Sequence, residues 1–209
     1  MPNWAYTAYK INGNKKQLDE LHKVLTDMNE GAYDGKNKMA LLDNGFGNMW
    51  LGNLVHVLGG DWNKIYCRGQ ITQFEMSIDG DTLETTLDIA MLTAWEEMSE
   101  VRAFLNKKFP SLTILYTVEE PGNGVYETNN KKFYNNYRYY LDVCLDDSKI
   151  FMEPEYFPTL EKVANYIKEH LGLEKDIEPT VEAITSFCND WCEEHEDDLM
   201  CLNEFKFTG

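Results

Sequence analysis

An α+β fold with elements in the order β-α-β-β-α-β is predicted, and three observations predict it. An aromatic strand at residues 4–11 ends on Asn12-Gly13. An Asp79-Gly80 turn separates two alternating runs. A capped helix starting at Thr93 leads directly into a further alternating run. At 209 residues, with 43% apolar and 13% aromatic side chains, the chain can bury one sizeable core, or one core with a smaller appendage.

Each element has its own signal. Residues 4–11 carry Trp4, Tyr6 and Tyr9 before the turn at Asn12-Gly13 and read as the first strand. Leu18, Leu21, Leu25 and Met28 recur at helical spacing, which predicts a helix over 15–28. Residues 29–48 hold four glycines among several Asn and Asp and read as an inserted loop. Trp50, Leu51, Leu54, Val55 and Leu58 then form a short apolar helical stripe closed by Gly59-Gly60.

Phe74, Met76 and Ile78 alternate with polar residues ahead of Asp79-Gly80-Asp81, and Leu83, Thr85, Leu87, Ile89 and Met91 alternate beyond it. An Asp-Gly turn between two such runs is a strong hairpin signal. The hairpin runs into Thr93-Ala94-Trp95-Glu96, which reads as a capping box: the Thr93 hydroxyl would accept from the Glu96 amide while the Glu96 carboxylate reaches back. Trp95, Met98, Val101 and Leu105 would face one way along that helix, stopped by Phe109-Pro110. Leu112, Ile114, Tyr116 and Val118 alternate in the fourth strand. The resulting order is the split βαβ of a ferredoxin-like sandwich, with central strands expected near 4–11 and 82–92.

Beyond Gly124, residues 137–145 and 150–157 read as strands around Asp146-Asp147-Ser148-Lys149, a hairpin expected to extend the sheet. Leu160, Val163, Ala164, Ile167 and Leu171 predict a third main helix. Ile184, Cys188, Trp191, Cys192, His195 and Leu199 predict a last one, acidic on its other face. The expected organisation is therefore a ferredoxin-like domain with an extended sheet over 1–150. An acidic, mainly helical appendage over 151–209 would pack on it.

Net charge is −17 and uneven: residues 151–209 carry 15 acidic and 4 basic side chains, against 21 and 15 in residues 1–150. Such a balance repels nucleic acid and anionic lipid and excludes direct binding to either as an expectation. Glu193, Glu194, Glu196, Asp197 and Asp198 form the densest acidic stretch, a solvated face or a surface for a basic protein partner. Five cysteines lack the rhythm of a disulfide scaffold, no apolar run approaches a membrane span, and the start lacks a secretory pattern. Cytoplasmic location is the expectation.

Candidate chemistry is sparse. Glu119 and Glu120 are adjacent on a strand and so point to opposite faces rather than at one substrate atom; with Pro121-Gly122 ending the strand, both are expected to face water. Cys188, Cys192, His195 and Cys201 suggest zinc, but 188 and 195 would lie about 10 Å apart along a helix, too far to share one tetrahedral ion easily. Cys192, His195 and Cys201 could converge only if the chain folds back near Leu199. Neither a metal nor a cofactor is expected. Lys131-Lys132-Phe133-Tyr134 and Tyr137-Arg138-Tyr139-Tyr140 interleave bases and aromatics, as in strand-stacking surfaces. The open face of the third strand would offer only Glu84, Thr86 and Asp88, the wrong charge for phosphates. His22, His56 and His170 are isolated, and no phosphate-binding loop or catalytic motif occurs.

Met1-Pro2-Asn3-Trp4 at the first strand, Thr93-Ala94-Trp95 and Glu119-Glu120-Pro121-Gly122-Asn123-Gly124 after the fourth strand, in that order, resemble the YubB-like family of plasmid- and phage-borne proteins. The resemblance covers residues 1–128. Ala5 and Thr7 stand where the family usually has Cys and Asn, and Trp50-Leu51-Gly52 with Gly60-Asp61-Trp62 loosely echo its middle segment. It implies a ferredoxin-like fold and a mobile-element setting, and no particular activity. Trp4, Trp50, Trp62, Trp95, Glu119, Glu120, Pro121, Gly122 and Gly124 are its candidate binding residues. The tryptophans read most simply as core, or as an apolar rim that receives a partner. The function expected is a non-enzymatic protein-interaction module. The alternatives are an acidic mimic of DNA, which presents about one charge per 1.7 Å, and a small hydrolase or transferase using Glu119 or Glu120.

Overall fold

The structure is a computed structural model describing residues 3–36, 38–80, 84–146 and 152–209. Among these residues it is a mixed α+β protein with six α-helices and mostly antiparallel strands. It divides into two compact units, Met1–Val125 and Tyr126–Gly209.

In the first unit, strand β1 (Trp4–Gly13) is followed by helices α1 (Lys15–Asn29) and α2 (Leu51–Val57), strands β2 (Gly69–Ile78) and β3 (Thr85–Ala94), helix α3 (Ser99–Lys108) and strand β4 (Leu112–Glu120). The strands lie in the order β2-β3-β1-β4 and every neighbour is antiparallel. Alternation along β1 turns Ala5, Thr7, Tyr9 and Ile11 to a buried face. Leu87, Ile89 and Met91 of β3 join Ile114, Tyr116 and Val118 of β4 in the same core. That core is completed by Leu18, Leu21, Leu25 and Met28 of α1, Leu51, Leu54 and Val55 of α2, and Val101 and Leu105 of α3. Asn14 caps α1 by accepting from the Gln17 amide. The insert is held by fully buried Asn53. Its Oδ1 accepts from the Leu42 amide at 2.9 Å, and its Nδ2 donates to the Gly47 and Asn48 carbonyls at 3.2 Å each.

The capping box at Thr93 does not form. Strand β3 runs on to Ala94, and α3 starts only at Ser99, with Met98 at its cap position and no side-chain cap. Pairing with β1 and β2 on both sides satisfies the backbone through residue 93, and that outweighs one cap of about 1 kcal/mol. Thr93 is instead fully buried, its Oγ1 2.6 Å from Thr7 Oγ1 across the strand pair. Thr93→Val should therefore cost about 1–3 kcal/mol by stranding the Thr7 hydroxyl. Thr7→Val/Thr93→Val should cost less than the two single changes combined, as a urea-denaturation cycle would read out. Asp81, Thr82 and Leu83 of the expected hairpin lie outside the described residues. Ile78, the last apolar residue of the alternating run, is 70% exposed at the end of β2.

The second unit has a core of its own. It comprises strand β5 (Val125–Thr128), helix α4 (Lys131–Tyr137), strands β6 (Tyr139–Cys144) and β7 (Glu155–Phe157), helices α5 (Leu160–Leu171) and α6 (Val181–Glu194), and strands β8 (Leu199–Glu204) and β9 (Lys206–Phe207). Strand β6 is central in a three-stranded antiparallel sheet of order β7-β6-β8. Leu141 and Val143 pack with Val163 and Ile167 of α5, Ile184 and Cys188 of α6, and Met200 of β8.

The compact units divide after Val125, and β6 shares its core with α5 and α6. The β6–β7 pair belongs to a second sheet instead of extending the first, and residues 147–151 of the expected hairpin lie outside the described residues. The last helix stops at Glu194. Residues 199–204 form a strand because Met200 and Leu202 pair with Val143 and Leu141, so helices α5 and α6 are followed by a strand and the last helix does not continue to Leu199.

Candidate functional site

The alternation that buries Ala5, Thr7 and Tyr9 sends Trp4 and Tyr6 to the other face of β1. Tyr6 lies opposite Leu92 on β3 and Glu119 on β4, and Trp4 lies opposite Ala94. Trp4, Tyr6 and Leu92 are 43%, 53% and 40% exposed, an apolar patch on the face turned away from α1 and α3. Sequence reasoning named Trp4 and missed Tyr6 and Leu92, although the phase of alternation in β1 carried the signal for Tyr6.

At the same end of the sheet, the three segments singled out in the sequence meet. The Trp95 amide donates to the Asn3 carbonyl at 2.9 Å, and the Ala94 amide donates to the Arg68 carbonyl at 3.0 Å. A β-carbon at Gly122 would lie 2.7 Å from Asn3 Nδ2, so glycine is what lets the turn after β4 approach the first strand. Glu120 is buried, not solvated. Its carboxylate accepts from the Gly122 amide at 2.9 Å and the Asn123 amide at 2.8 Å, capping the 3-10 turn Pro121–Asn123. Gly124 closes that turn at φ 64. Glu119 points to the opposite face of the strand and is half-buried.

Trp95 is not on a helix and not in the core. It is 42% exposed at φ 65, the left-handed region where a bulky residue is a genuine outlier. The Arg68 guanidinium lies 5.2 Å from its ring centroid. Arg68 also lines an open cleft of about 620 Å³, walled by Phe46, Trp50, Trp62, Ile65 and Tyr66. Phe46 and Trp50 are stacked at 6.0 Å, and Trp62 meets Trp50 edge-on at 5.4 Å. The Trp50 indole lies against Gly52, where any β-carbon would fall 2.4 Å from the ring. Trp50 and Trp62 are half-buried and pack against the edge of the core, whereas Trp4 and Trp95 are exposed.

The cleft holds few polar groups. Glu100 accepts from the Tyr66 amide at 2.6 Å, and Lys64 pairs with Asp61 at 3.1 Å. Among the described residues, Arg68 has no carboxylate partner. Burial, with a contribution from the Glu100 charge, pushes the Cys67 thiol up, which keeps it protonated and a poor nucleophile.

A buried polar network that sequence reasoning also missed lies beneath the sheet. Tyr9 donates its hydroxyl to Glu97, and Arg102 donates to the same carboxylate from Nε at 3.1 Å and Nη2 at 3.4 Å. Burial first, then the Glu97 charge, raises Tyr9 well above the usual tyrosine value of 10.0.

In the second unit, Glu193, Glu194, Glu196 and Asp197 are exposed around the end of α6. Asp198 is committed elsewhere, accepting from the Asp146 amide at 2.7 Å and from Trp191 Nε1 at 2.8 Å. Cys188 is buried and its thiol is pushed up to about 12, chiefly by burial. The Cys192 sulfur accepts from the Met200 amide at 3.2 Å, His195 stacks on Trp191, and Cys201 is exposed on β8. Among the described residues, no three His, Cys, Asp or Glu side chains are grouped to hold a metal ion, and no helix is long and apolar enough to cross a membrane.

No family model, no curated protein and no solved structure matches the chain.

Proposed function

We propose that the chain is a non-enzymatic recognition protein of a mobile genetic element, acting in the cytoplasm and engaging a protein partner through the aromatic end of the first unit's sheet. The observation that carries this reading is Trp95, which is 42% exposed, held at φ 65 and flanked by a guanidinium without a carboxylate among the described residues. Backbone strain of this kind costs about 1–3 kcal/mol and clusters where function requires it. Trp, Tyr and Arg dominate the binding energy of protein interfaces, and Trp4, Tyr6, Trp95 and Arg68 supply all three. Leu92 adds apolar area beside them.

The antiparallel order β2-β3-β1-β4, with α1 and α3 contributing to one core, supports the ferredoxin-like reading of this unit. The mobile-element setting rests on the YubB-like resemblance alone. Acid–base catalysis is supported less well, since both oxygens of Glu120 are occupied by backbone amides and Glu119 points to the other face of the strand. A net charge of −17 disfavours direct binding to nucleic acid or an anionic membrane.

One observation favours the charge-mimic alternative, in which a protein with a basic surface docks on the second unit. Glu193, Glu194, Glu196 and Asp197 are exposed, and among the described residues none has a cation at ion-pair distance. A photo-activatable residue at Tyr6, at Glu194 or at the exposed control Lys16 separates the readings in living cells. A discrete protein adduct from Tyr6, absent when Trp95→Gly is added, is expected. An adduct from Glu194 only transfers the function to the acidic surface, and indistinguishable labelling from Tyr6 and Lys16 overturns the reading.

A further inference from the structure

We propose that the cleft beside Arg68 is the anchor pocket for the partner, and that it takes a segment in which a large apolar side chain stands next to a carboxylate. This rests on the protein-recognition reading above and adds the chemistry of what is recognised. The apolar half of the specificity comes from three rings. Phe46 and Trp50 lie nearly parallel, 28° apart, and Trp62 turns 70° from Trp50, so the rings form a corner rather than a slot. Rings 6.0 Å apart leave no room for a base to slide between them, whereas a corner accepts the end of a Phe, Tyr, Trp or Leu side chain.

The acidic half comes from Arg68. Arg68 lines the cleft and its guanidinium lies over the Trp95 ring, with no carboxylate partner among the described residues. A guanidinium held this way presents its planar fork to a carboxylate. The other cation at the cleft, Lys64, already pairs with Asp61, and the one acid, Glu100, already accepts from the Tyr66 amide. A nucleic-acid strand needs several cations for successive phosphates, and among the described residues Arg68 is the one cation lining this cleft without an acidic partner. The rim residues Phe46 and Tyr66 are 46% and 41% exposed, so the cleft is too open to enclose a small molecule and suits a segment that brings its own surroundings.

Selection of random dodecapeptides displayed on phage against the full chain tests this. Recovered sequences should set a Phe, Tyr, Trp or Leu beside Asp or Glu. Phe46→Ala, at an exposed ring whose loss spares the core, should weaken them about tenfold. Repeating the selection on Arg68→Glu should exchange the acid for Lys or Arg. Sequences lacking an acid, equal binding by Arg68→Glu, or no sequence above background would each overturn the proposal. Tyr6 does not line the cleft, so cross-linking from Tyr6 reports on the sheet face independently. A Tyr6 adduct with a failed selection removes the anchor pocket alone, and failure of both removes the recognition reading with it.

Discussion

Glu97→Ala should lower the stability of the first unit by about 3–5 kcal/mol, the largest single-residue effect expected here, because it breaks a buried charged pair by removing one partner. The Glu97 side chain is 6% exposed, and it accepts from both the Tyr9 hydroxyl and the Arg102 guanidinium. Alanine would leave a buried hydroxyl with only the Met98 carbonyl, 3.3 Å away, and a half-buried cation over the Tyr116 ring. Urea denaturation measures the loss, and Glu97→Gln, which keeps an acceptor for Tyr9, should lose less. The same network sets an alkaline limit. The unfolded chain releases the Tyr9 proton near 10.0 while the folded protein holds it to higher pH. Stability from this group is therefore present below pH 10 and falls as pH rises above it. Tyr9→Phe should show a shallower fall in Tm across that range.

Trp95→Gly should separate binding from stability. Truncating an interface tryptophan commonly costs 2 kcal/mol or more, so partner affinity should fall by about thirtyfold or more. Folding should not suffer in proportion. At φ 65 a tryptophan carries strain that glycine removes, and the relief of about 1–3 kcal/mol exceeds the roughly 0.5–1 kcal/mol of added unfolded-state entropy. Tm should stay level or rise. Trp95→Ala should lose affinity while keeping most of the strain, which distinguishes the backbone effect from loss of the ring. A fall in stability as large as the loss in binding would mean that the ring is structural.

Much of the architecture was legible because it rests on local chemistry. The stripe Leu18, Leu21, Leu25 and Met28 is the buried face of α1, and the runs around Asp79-Gly80 are antiparallel strands. What misled was chemistry satisfied from elsewhere in the chain. Thr93 and Glu96 have the spacing of a cap, yet strand β1, 86 residues away, claims Thr93 for a buried hydroxyl pair with Thr7. Leu199 continues the helical spacing of α6, but Met200 and Leu202 find partners on β6. The tryptophans looked like core because of their size, and burial depends on the phase of alternation, which exposes Trp4 and Tyr6 while it buries Ala5 and Thr7. Glu97 gave no signal at all, since its partners Tyr9 and Arg102 come together only in the folded sheet and helix.

The central claim is that the aromatic end of the first sheet, and not the acidic end of α6, meets the partner. Amide hydrogen exchange of the full chain, with and without the protein captured from Tyr6, tests it most directly. Protection gained over residues 3–7, 66–70 and 92–95, with residues 190–198 unchanged, is the result expected. Protection confined to 190–198, with the first β1 and last β3 residues exchanging as in the free chain, would contradict it.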